Sequence, residues 1–69
     1  MRFSRGVYAL VLFKDGRQSG YFADSRSIYD RLIDDFAHDI AAEAEGWAEM
    51  ACVGDVYEED EFIIEMVEE

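Results

Sequence analysis

The chain has little of what usually staples, anchors or activates a small protein. A single cysteine, Cys52, rules out an internal disulfide. No apolar run approaches the length that crosses a bilayer, and the N-terminus has no uninterrupted apolar region ahead of a small-residue cleavage site. These absences predict a soluble, intracellular protein with no membrane contact. One histidine, His38, is too few for a convincing transition-metal site. No nucleophile stands at a recognisable spacing and no catalytic motif occurs, so no catalytic residue, metal or cofactor is expected. The sharpest absence is of positive charge. Leu32 to Glu69, 38 consecutive residues, contain neither lysine nor arginine.

What is present is correspondingly lopsided. All six bases (Arg2, Arg5, Lys14, Arg17, Arg26 and Arg31) fall in residues 1–31 beside three acids, a balance of +3, whereas residues 32–69 carry 14 acids. The formal net charge is −11. Self-repulsion of this kind destabilises a compact state, and a surface that is merely solvated normally mixes both signs. Yet 51% of the residues are hydrophobic and 14% aromatic, too apolar for a disordered chain. Sixty-nine residues make one domain, 1–69, with a modest core.

The stretch from Ser27 to Cys52 organises that domain. Its apolar residues Tyr29, Leu32, Ile33, Phe36, Ile40, Ala44, Trp47 and Ala51 recur at helical steps and form one stripe. Arg31, Asp34, Asp35, His38, Ala42, Glu45 and Glu49 lie roughly opposite, with Asp39 and Glu43 on one flank. Asp24, Ser25 or Ser27 can cap the start, and Gly54 is a natural stop. One helix of this length would run about 39 Å at 1.5 Å per residue. Gly46 costs about 1 kcal/mol relative to alanine inside a helix. It is therefore the expected place for any break, with Trp47 to Cys52 then becoming a strand.

On either side the chain reads as strands. Val7 to Lys14 is rich in β-branched and aromatic residues. Asp15-Gly16 signals a hairpin, and Arg17 to Ala23 returns as the second strand, with Gly20 marking a bulge or a close contact. Asp55 to Glu58 is short and extended, Glu59-Asp60 turns, and Glu61 to Val67 is the last strand. The order β-β-α-β or β-β-α-β-β predicts an α+β domain, in which a small antiparallel sheet of three or four strands packs on one long helix. Leu32, Phe36, Ile40, Trp47, Val11, Phe13, Phe62 and Ile64 are the expected core, and the first strand is expected to be central. Val7, Ala9, Val11 and Phe13 then face the helix. Tyr8, Leu10 and Leu12 are left on the other face beside Ile63 and Val67, a patch suited to a homodimer or a partner.

Several local patterns carry less than they promise. Asp34, His38 and Glu45 share the outer helix face, but they read as ordinary solvated residues. Asp55 to Glu61 is acidic enough to suggest calcium, but its sixth position is Asp60 rather than the glycine that an EF-hand loop needs. Cys52 reads as a small buried hydrophobe and Trp47 as core. The six bases do not make a nucleic-acid patch under so negative a net charge.

The acids remain as the candidate partner-binding set: Asp34, Asp35, Asp39, Glu43, Glu45 and Glu49 on the helix, and Asp55, Glu58, Glu59, Asp60 and Glu61 after it. In its length, its base-free half from Leu32 to Glu69, its acidic helix Asp34–Glu49 and its tail EEDEFIIEMVEE, the chain resembles the small acidic phage proteins that mimic nucleic acid. These include anti-CRISPR proteins, anti-restriction proteins and the inhibitor of uracil-DNA glycosylase. The resemblance lies in charge pattern and size, not in a motif. It implies a non-enzymatic inhibitor, acting in the cytoplasm of a bacterial host, that blocks a basic nucleic-acid-binding groove without itself binding nucleic acid. A CRISPR effector subunit is the favoured partner. The alternative of a different class is a small homodimeric structural or regulatory module whose acidity serves solubility.

Overall fold

The continuous apolar run VYALVLF becomes β1 (Val7–Phe13) of a computed structural model that describes residues 1–69. Ala9, Val11 and Phe13 point into the core, and Tyr8, Leu10 and Leu12 point the other way. The chain continues through β2 (Gly20–Phe22), α1 (Ser25–Ile33), α2 (His38–Met50), β3 (Val56–Glu58) and β4 (Phe62–Glu68). The four strands are all antiparallel, in the order β2-β1-β4-β3. The first and last long strands are therefore neighbours at the centre, in register from Val7↔Glu68 to Phe13↔Phe62. Phe62, Ile64 and Met66 join Ala9, Val11 and Phe13 on the covered face.

The helical layer corrects the single long helix. The chain leaves the α-helix after Ile33 and re-enters it at His38, so the break falls at Asp34–Ala37 and not at Gly46. Size gives the first reason. A continuous helix of about 39 Å would overrun a molecule whose longest extent is 28 Å. The second reason is Phe36. Its ring turns back from the break to lie parallel to Phe13, with centroids 6.5 Å apart, and close to Phe62 at 5.3 Å. Ala37 takes an extended backbone conformation, and its carbonyl accepts the first bonds of α2, from the amides of Ile40 and Ala41. The two helices then pack against each other and close one core with the sheet.

The break also resets the helical phase. Ile28 and Leu32 are the buried apolar residues of α1, and Ala41, Ala44 and Ala48 are those of α2. Small side chains occupy the closest contacts of α2, so the larger Ile40 and Trp47, like Phe36 before them, are only half-buried at the margin of the core. The expected core members Leu32, Val11, Phe13, Phe62 and Ile64 are buried.

Caps and turns supply further corrections. Asp24 caps α1, its side chain accepting from the Ser27 amide at 2.7 Å. Hydrogen bonding from Ser27, its side chain ahead of its amide, and then the charges of the Met1 amine and Arg2 hold the Asp24 carboxyl below its ordinary range. The stop of α2 is Ala51 in an extended conformation, not Gly54. Gly54, at φ +95°, instead turns Cys52–Asp55 back onto β4, its amide donating to the Met66 carbonyl at 2.8 Å. Cys52 is exposed in that turn rather than buried. The second strand is shorter than Arg17 to Ala23, because Arg17 is drawn out of the ladder to the side chains of Asp15 and Asp35. The close contact read at Gly20 is real: a Cβ there would meet the Phe22 ring at 3.2 Å.

Candidate partner-binding surfaces

The acids of the base-free half do not form one stripe. Asp35 lies between Arg31 and Arg17, with the Arg17 contact at 2.9 Å. The Arg31 hydrogen bond, ahead of the one from Arg17, depresses its carboxyl. Arg17 also grips Asp15, and that bond holds the Asp15 carboxyl down and pushes the guanidinium up. The same guanidinium lies 5.3 Å from the Phe13 centroid and 5.1 Å from that of Phe36. A fork of donors that meets two carboxylates at once beside two aromatic rings is arginine chemistry that lysine cannot reproduce. Asp35 is thus an element of the fold's own ionic cluster, with its charge answered inside the chain.

A second group gathers around Tyr57. Its hydroxyl donates to Glu43 Oε1 at 2.6 Å and approaches Glu59 Oε2 at 3.1 Å, and its ring packs on Trp47 at 5.3 Å. Burial first, then the two carboxylates, push the Tyr57 phenol above its ordinary value. Nearby, Phe36, Ile40 and the residues Glu59 to Phe62 line a cavity of about 80 Å³. The β3–β4 turn is therefore set against the first turn of α2. Two acidic segments, Asp39–Glu43 and Glu59–Glu61, meet at the end of the molecule marked by Phe62. Asp39, Asp60 and Glu61 are exposed there, and their side chains make no hydrogen bond or ion pair. Glu58, on the neighbouring strand, pairs with Lys14 at 3.3 Å.

The remaining acids lie elsewhere. Asp34 is exposed at the end of α1. The helix break parts it from His38, whose ring instead shares a hydrogen bond of 2.8 Å with the Tyr29 hydroxyl. Glu45 is half-buried. Glu49 lies 3.2 Å from the Ser25 hydroxyl, and Asp55 accepts from the Cys52 amide at 2.9 Å. Glu49 and Asp55 belong to the opposite end, where the residues around Arg2–Val7 and Ala48–Val53 line two cavities of about 390 and 400 Å³. No group of three or more acids, histidines or cysteines is arranged to hold a metal ion. No helix is long and apolar enough to cross a membrane.

Sequence reasoning missed Tyr57 as the residue that joins the two acidic segments. A tyrosine in an acidic run is a donor in need of an acceptor, but nothing local says that the second acceptor is Glu43 of α2. It also left Tyr21 and Val56 off the open sheet face, where they stand 65% and 56% exposed beside Leu12 at 39%. The helices cover only the other face, so Tyr8, Leu10 and Leu12 lie on a side that no part of this chain covers. Comparison with protein-family models, with curated proteins and with solved structures finds no match to this chain.

Proposed function

We propose that this chain is a non-catalytic inhibitor whose acidic end enters a basic nucleic-acid groove on a bacterial defence protein in the host cytoplasm, with a CRISPR effector as the favoured instance. The observation that supports this reading best is the meeting of Asp39–Glu43 with Glu59–Glu61 at one end of a chain of net charge −11. Acids one helical turn apart stand about 6 Å apart along the axis, of the same order as the charge spacing along a nucleic-acid strand, about 3.4 Å of axis per phosphate. The field of such an end steers it toward the surface that attracts DNA or RNA.

The test is competition. The protein is titrated into a CRISPR effector already holding labelled DNA, and release of the label is followed. Release that weakens steeply with added salt is expected. A ternary complex in which DNA stays bound would remove the mimicry reading. Asp60→Lys combined with Glu61→Lys reverses charge at two side chains that bond to nothing in their own fold, so competition should fall while the melting temperature barely moves. Each exposed pair is worth only about 0–1 kcal/mol, so the double change is needed for a clear effect.

A further inference from the structure

We propose that the uncovered sheet face is a second docking surface, and that it takes a protein partner presenting an apolar surface with one central arginine or lysine. The carrier is Glu65. In the sheet register its neighbours are Leu10 on β1 and Val56 on β3. Along β4 the next residues on the same face are Ile63 and Val67. The carboxylate is thus ringed by apolar side chains on all four sides, half-buried, and no side chain of its own chain bonds to it. The rim of the patch holds Leu12, Tyr21 and Val56, all exposed.

An apolar face of this kind is covered in use, and the carboxylate decides by what. A second copy fits badly. Leu10 and Glu65 are partners on the two central strands, so a twofold packing that buries the patch brings two Glu65 carboxylates into it, and the lysine at its edge, Lys14, is already paired with Glu58 at 3.3 Å. Burying an unpaired charge is strongly unfavourable, and each copy adds its own −11. A partner cation set in an apolar surface turns the same carboxylate into the contact that fixes orientation and partner choice. This surface lies across the sheet from the helices and does not depend on the acidic end, so the competition experiment can fail without touching it.

The probe is a pair of synthetic amphipathic helical peptides with the same leucine face, one carrying arginine and the other glutamate at its centre. Each is titrated into the isotope-labelled full chain, and amide shifts are read by NMR. The arginine peptide should bind about tenfold or more tightly than the glutamate peptide, as close charge pairs at interfaces do, with shifts concentrated at Leu10, Glu65 and Val56. Glu65→Lys should reverse the order of the two peptides, and Glu65→Gln should erase the difference. Asp60→Lys, the same charge change at the acidic end, should leave the order intact. Three outcomes would overturn the proposal: the same peptide order in Glu65→Lys, no binding of either peptide, or a wild-type dimer that Leu10→Lys dissociates.

Discussion

Glycine 46 sits in the interior of α2, exposed, with nothing within 4 Å of where a Cβ would stand. It carries the entropic cost of a helical glycine with no packing reason for it. Gly46→Ala should stabilise the protein by about 1 kcal/mol, a rise of roughly 4–8 °C in melting temperature for a domain of this size. Thermal melting by circular dichroism reads it directly. An unchanged or lowered melting temperature would mean that the helix is not continuous there. At this scale the sequence shows which residues are acids, but not which acids are already answered. Asp35 looks as free as Asp34 until the fold brings Arg17 over the Phe13 and Phe36 rings to meet it. Arg17→Lys should keep the charge but lose the fork that meets Asp15 and Asp35 at once, and so should lower the melting temperature although the net charge stays the same.

The strands were legible because their period is short and each carries its own evidence. Val7 to Phe13 runs apolar without interruption, Phe62 to Val67 is apolar except at Glu65, and Gly16, at φ +90°, marks the turn that Asp15-Gly16 announces. The helix break was not legible. Leu32, Phe36 and Ile40 keep their spacing of four straight through it, so the pattern that identifies a helix also conceals the gap. What ends α1 is tertiary: the length available over the sheet, and the aromatic contacts that Phe36 makes once it turns inward. Phe36→Ala should therefore cost toward the low end of the roughly 3–5 kcal/mol typical of Phe→Ala in cores, since the ring is half-buried. It should also loosen the α1–α2 junction. Hydrogen exchange at Asp35–Ala41 is the measurement, and protection unchanged from wild type would show that the ring does not set the break.

For the molecule as a whole, charge and pH act in opposite directions. Added salt should raise the melting temperature by screening self-repulsion, although it weakens binding to a basic partner. The carboxyls of Asp15, Asp24 and Asp35 are all held below their ordinary values, so their contribution to stability is present above about pH 4, the unfolded-state range. It is lost as pH falls through the depressed folded-state values. Stability should therefore drop as the pH is taken below about 4. Tyr57 works in the other direction. Its raised phenol contributes stability that persists below its ordinary pKa of about 10 and is lost as pH climbs past it. Melting curves across pH check both limbs. The pairing of β1 with β4 also has a consequence in time. Val7 meets Glu68, so the central ladder closes a loop of nearly the whole chain, and contacts this distant in sequence slow folding. On the ribosome, β1 has only the three-residue β2 as a partner until the last strand emerges. The helices can form early, but the sheet they cover must wait for β4 to be made.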